Sequence, residues 1–232
     1  MKNLSLGLAA ALCCGAMAVN QANAAMQTFG FSNITGNDIN DAMAGEAQLS
    51  VTISDEGVGA GQVAFIFTNV GPDSMSITDV YFDDGSLLGI ASIINGSGVA
   101  FSQGASPGDL PGGNSVGFMA TAGFTADSDP PAQPNGVNPG ETLTIVFNLI
   151  AGQTYADVIA AMGIGFGEGG LVIGIHVQGF AGGGSEAFIT DGPPDEMVPL
   201  PAGVALGLAG LAPVMIRRRR QSMLVSSPRI WR

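Results

Sequence analysis

Gln48-Leu49-Ser50-Val51-Thr52-Ile53-Ser54 decides the fold class. Leu49, Val51 and Ile53 alternate with Gln48, Ser50, Thr52 and Ser54, and a period of two gives a strand one apolar and one polar face. The same period returns along the chain. Val63, Phe65 and Phe67 alternate with Ala64, Ile66 and Thr68, and Leu143, Ile145, Phe147 and Leu149 with Thr144, Val146 and Asn148. Leu171, Ile173, Ile175 and Val177 form a further strong strand.

Between these runs, Asp55-Glu56-Gly57 to Gly61 predicts a turn, and Ile77 to Phe82 a strand. Asp83-Asp84-Gly85-Ser86 predicts a tight hairpin turn, with Leu87 to Ile94 as the return strand. Weaker patterns predict short strands at Gly98 to Ser102 and Val116 to Phe124, and an edge strand at Ser185 to Ile189. The stretch from Gly104 to Gly140 is rich in Pro, Gly and Asn and reads as surface loops. Thr154 to Met162 is the one soluble helix candidate. Thr154 is its cap, Asp157 stands three residues on, and Val158, Ile159 and Met162 form its stripe. About seven strands and one short helix predict an all-β domain, an antiparallel β-sandwich or jelly roll. The 36 glycines, about twice the usual share of roughly 7 percent, fit frequent turns.

Charge divides the chain. Its seven basic residues are Lys2, Arg217, Arg218, Arg219, Arg220, Arg229 and Arg232, and all 19 acidic residues lie between Asp38 and Glu196. The body therefore has no Lys or Arg with which to pair a carboxylate. Nucleic acid is excluded as a partner, because phosphate binding requires basic side chains that release counterions. An acidic surface of this kind keeps an exported protein soluble.

His176 is the only histidine and lies on the strand face opposite Leu171, Ile173, Ile175 and Val177, beside Gln178. Ser185 is near it in sequence, but no G-x-S-x-G nucleophile motif accompanies it. One histidine and no mature cysteine are too few for zinc. Calcium takes carboxylates and carbonyls, so Asp83, Asp84, Asp127 and Asp129 are the candidate donors, although neither pair matches a known calcium loop. Glu141, Glu168 and Glu186 are the carboxylates a glycoside hydrolase could use, but the body has no Trp on which to stack a sugar. The expectation is a body without catalytic residues and without an obligatory cofactor. The alternatives are a calcium- or ligand-binding module and an extracellular hydrolase.

The termini carry an address. Met1-Lys2-Asn3, the apolar run Leu4 to Val19 and Ala22-Asn23-Ala24 form a secretory signal peptide, residues 1–24, cleaved between Ala24 and Ala25. Cys13 and Cys14 lie inside it, so the mature chain has no disulfide. Residues 25–190 form the ectodomain, and 191–198 a Pro-rich linker. Then come Val198-Pro199-Leu200-Pro201-Ala202, an uncharged run from Pro199 to Ile216, and Arg217–Arg220. Eighteen residues make about 27 Å of helix, enough to cross a bilayer core. The arginines hold that end in the cytoplasm and place the body outside. Residues 221–232 follow as a cytoplasmic extension.

This three-part tail resembles the PEP-CTERM sorting signal of Gram-negative bacteria, in its Val-Pro-Leu-Pro-Ala form. Leu200 stands where Glu is usual, and the chain runs on past the arginines where tails of that family stop soon after them. The resemblance covers about 20 residues. It implies that the chain meets the Sec translocon and signal peptidase, is held as an inner-membrane precursor, and is passed to exosortase. It further implies cleavage near Pro199–Ala202 and a destination at the cell surface or in an exopolysaccharide matrix, beside other surface proteins. The body also resembles, loosely, the β-rich ectodomains that carry such tails, through Val80-Tyr81-Phe82-Asp83-Asp84-Gly85 and Ile173-Gly174-Ile175-His176-Val177-Gln178.

Overall fold

A computed structural model describes residues 26–84, 86–150 and 152–191. The expected signal peptide, the Val198–Ala202 motif, the apolar run and the arginine block lie outside the described residues. Among the described residues no helix is long and apolar enough to cross a membrane.

The body is two antiparallel sheets. One has five strands in the order β1 (Met26–Phe29), β3 (Leu49–Ser54), β4 (Gln62–Asn69), β9 (Thr142–Leu149) and β6 (Leu88–Asn95). The other has six, in the order β2 (Phe31–Asn33), β11 (Ser185–Thr190), β10 (Leu171–Gln178), β5 (Ser76–Asp84), β8 (Thr125–Ser128) and β7 (Phe101–Gln103). The apolar positions of the alternating runs face inward and meet in one core, an arrangement consistent with an all-β sandwich. Phe82 of β5 enters the opposite sheet's aromatic side chains, with its ring centroid 4.9 Å from Phe147 and 5.3 Å from Phe65, both edge-on. Edge-to-face pairs of this kind add about 0.5–1.5 kcal/mol each to the burial of the rings.

The strong period-two runs all form strands, and helix α4 (Tyr155–Ile164) starts where its cap predicts. The Thr154 side chain accepts from Asp157 N, and the Asp157 side chain accepts from Thr154 N, a complete capping box.

Several expectations are corrected. Asp83 to Ser86 does not close a hairpin, because β5 and β6 belong to different sheets. The Asp84 carboxylate instead accepts the backbone N–H groups of Ser86, Leu87 and Leu88 and turns the chain from one sheet to the other. Val116 to Phe124 is not a strand. Gly113–Val116 is a helical turn (α2), and the strand comes later, as β8. The strand β11 is not an edge, since β2 pairs with its outer side. A second ten-residue helix, α1 (Ile39–Gln48), precedes β3, and Ala132–Asn135 is a further short turn, α3. Helix α1 has no apolar stripe to betray it, because the residues it buries are Ala42, Gly45 and Gln48. Its Asp38 cap, which accepts from Asn40 N and Asp41 N, was the legible signal.

The loops after β7 do not stay on the surface. Leu110 and Phe118 fold onto the outer face of the six-stranded sheet and pack with Tyr81, Val172 and Ala187. This explains why β5 and β10 are buried on both faces, and why their outward polar residues lie in a sheltered environment.

Candidate functional site

Among the described residues, the outer face of the six-stranded sheet brings three ionisable side chains into one row. Strand register sets His176 of β10 opposite Asp79 of β5, and Asp79 opposite Asp127 of β8. The rank continues to Ser102 on β7 and Ala187 on β11. The three ionisable residues are distant in sequence and consecutive in space.

His176 Nδ1 lies 2.9 Å from Asp79 Oδ2. Asp79 is 2 % exposed and His176 8 %, so the pair is a buried one. The histidine is therefore hydrogen-bonded on a sheet face, and it is buried there. A bulge between His176 and Val177 inserts Thr78, whose hydroxyl is 3.0 Å from Asp79 Oδ2 and 3.2 Å from the His176 carbonyl. Gln178 Nε2 lies 3.4 Å from the same His176 nitrogen. The other oxygen, Asp79 Oδ1, is buried and has no hydrogen-bond partner among the described residues. A buried acceptor left in that state costs about 1–3 kcal/mol. Asp127 stands opposite Asp79 in the register, and a hydrogen bond between the two carboxyls requires Asp127 to carry a proton.

Electrostatics agree with that arrangement. Burial, then the charge of Asp79 and the hydrogen bond to it, then Asp129, push the Asp127 carboxyl up to about 6, against a smaller opposite pull from His176. The Tyr81 phenol is pushed upward by burial and by Asp79, Asp127 and Asp109, and its hydroxyl donates to the Pro107 carbonyl at 2.9 Å. The row sets two carboxyls beside an imidazole. Nucleophilic catalysis would also need an activated hydroxyl on the imidazole. Ser185 stands opposite Gln178, two residues along from His176, and no hydrogen bond joins Ser185 to the imidazole among the described residues.

The other sequence candidates are spread over the molecule. Asp83 accepts from Met119 N and the Thr121 hydroxyl, pinning the loop that covers the sheet. Asp84 is committed to the crossover after β5. Asp129 is exposed beside β8, and Asp127 belongs to the row described above. Among the described residues no group of three or more His, Cys, Asp or Glu has metal-binding geometry. Glu141 accepts from Asn138 N and Asn138 Nδ2 in the turn before β9. Glu168 is exposed in the turn before β10.

Glu186 is 1 % exposed. It accepts from the Thr35 hydroxyl, Asn33 Nδ2, Asn37 N and Asp38 N. Burial raises its pKa, but those four donors outweigh burial and hold the carboxyl below the usual range. It fixes the segment between β2 and α1. The three glutamates are thus used in three separate places. Surface grooves also lie apart from the row: one of about 510 Å³ runs between α1 and the loop after β10, lined by Asn40, Met43, Asp73 and Phe180.

Asp79 is the member of the row that sequence reasoning missed. Its signal was a carboxylate in mid-strand, on the outward parity of Ile77–Phe82, matching the parity of His176 in β10. No protein-family model, no curated protein and no solved structure matches this chain.

Proposed function

We propose that the chain is an exported, non-enzymatic structural or interaction protein, a β-sandwich ectodomain sorted by exosortase through its C-terminal tail. It reaches the surface anchored, or is released into the exopolysaccharide matrix. The observation that carries this reading is the pair of terminal signals, Met1–Ala24 and Val198–Arg220, around a body with no Lys or Arg. The fold is compatible with removal of both, because every described strand lies between Met26 and Thr190. The internal use of the polar side chains favours a structural role as well. Glu186, Asp84 and Asp83 hold loops and crossovers, and Asp79 holds His176.

Mass spectrometry of the protein recovered from its cells tests the reading at both ends. The expected mature chain begins at Ala25 and ends near Pro199–Ala202. A C-terminus still at Arg232 overturns the processing. A chain lacking Val198–Arg232 should leave the envelope, and its retention there would overturn the tail's role as an address.

A further inference from the structure

We propose that the outer face of the five-stranded sheet is a self-association surface, and that its occupant is a second copy of this chain. The proposal does not rest on processing of the tail.

The five strands of that sheet contain no Asp, Glu, Lys, Arg or His. The six-stranded sheet, by contrast, carries Asp79, Asp83, Asp84, Asp127, His176 and Glu186. In a body whose ionisable side chains are nearly all acidic, one whole sheet is free of charge.

Register arranges its outward residues in ranks. Thr28, Thr52, Ile66, Thr144 and Ile94 follow one another straight across β1, β3, β4, β9 and β6. Thr28 is exposed, Ile94 is 56 % exposed, and the three central members are half-buried. In the next rank Ser54, Ala64 and Val146 are buried, at 3 %, 3 % and 6 % exposure, so the open part of the face lies along the Thr28–Ile94 rank and the Ser50–Thr68 pair beside it. Hydroxyls satisfy one another within the face, Thr28 with Thr52 at 2.8 Å and Ser50 with Thr68 at 2.9 Å. Satisfied hydroxyls and exposed methyls form a surface that can be covered without stranding a charge or a donor.

Charge selects the occupant. Two copies of a body without Lys or Arg can form no salt bridge between them, and they repel wherever carboxylates meet. This sheet is the broad face where they meet none. Five strands roughly 4.8 Å apart and about 24 Å long give a plane near 600 Å² before side-chain relief is counted. A standard interface needs about 800 Å² per partner. Sheets pack face to face at about 10 Å, and a two-fold axis through the central strand β4 would set Ile66 against its own copy.

Sedimentation velocity on the full chain in detergent tests this, comparing the native protein with Ile66→Asp/Thr144→Asp and with Met43→Asp on the exposed face of α1. The native chain is expected to dimerise, and more tightly as salt screens the acidic rims. Ile66→Asp/Thr144→Asp is expected to loosen the dimer by more than about a hundredfold, since it buries facing carboxylates. Met43→Asp should leave it unchanged. A monomer at every salt concentration overturns the proposal, and so does a dimer indifferent to Ile66→Asp/Thr144→Asp, which would arise from the apolar termini. Oxidation of Ile66→Cys, in a chain with Cys13 and Cys14 replaced by Ser, gives a readout that does not depend on a charged variant folding. A covalent dimer supports the two-fold packing, and its absence overturns it.

Discussion

Asp127 of β8 and Asp79 of β5 stand directly opposite each other on one antiparallel pair, and Asp79 is held on its other side by His176 at 2.9 Å. Two facing carboxylates in a sheltered row cannot both be charged without cost, and the Asp127 carboxyl is pushed up to about 6, by burial first and by the charge of Asp79 second. A carboxyl raised in the fold binds its proton more tightly there than in the unfolded chain. Its contribution to stability is therefore full below the unfolded value and lost as pH rises through about 6.

The melting temperature is accordingly expected to rise as pH falls from 7 towards 5. Asp127 is partly exposed and solvent screening reduces its effect, so its own share is about 1 kcal/mol, or about 2–4 °C. Relief of general repulsion adds to the rise, so the decisive comparison is with Asp127→Asn. That variant should show a shallower slope over the same range. Calorimetry giving equal slopes for the two proteins would remove Asp127 from the account.

Glu186 acts with the opposite sign. Its carboxyl is held below the usual range by Thr35, Asn33 and the backbone of Asn37 and Asp38, despite its burial. Its stabilisation is present above the unfolded value and lost as pH falls through the lower folded one. Stability should therefore decline again in stronger acid. Glu186→Gln weakens charge-assisted bonds to a buried site and should cost about 2–3 kcal/mol at neutral pH. A denaturant midpoint unmoved by this substitution would argue against the structural role.

His176 and Asp79 are expected to act as a unit. Removing either leaves the other buried without its partner, so each single substitution to Ala should cost more than half of the double. A double-mutant cycle should return a coupling of about 1–3 kcal/mol. Simple additivity would show that the contact contributes little.

Gly45→Ala tests packing against propensity. Alanine is a better helix former than glycine by about 1 kcal/mol. At Gly45, however, a Cβ would overlap the Phe188 ring, with Cε1 at 2.6 Å, and Phe188 is fully buried in the core. The substitution should destabilise by about 1–3 kcal/mol. Phe188→Leu in the same chain should recover part of that loss, because it clears the ring. A stabilised Gly45→Ala would refute the contact.

Period-two alternation determined the β class and the inward sets of β3, β4, β9 and β10, and the Thr154–Asp157 capping pattern determined helix α4. Each of these is a local pattern: the spacing of apolar residues along one segment, or a side chain that satisfies a backbone group three residues away. The sequence by itself also determined the segregation of charge, with every Lys and Arg outside residues 25–198.

Only the tertiary structure decided the rest. The stretch Asp83 to Ser86 has hairpin composition, yet the partners of β5 are β10 and β8, remote in sequence, because its Phe82 fits the aromatic core facing the other sheet. Helix α1 left only its Asp38 cap to be read, because a helix packed by Gly45 against a ring leaves no apolar stripe. The row His176–Asp79–Asp127 and the uncharged face Thr28–Thr52–Ile66–Thr144–Ile94 are both products of register. Cross-strand register is fixed by which strands bury their inner faces together, and no single segment carries that information.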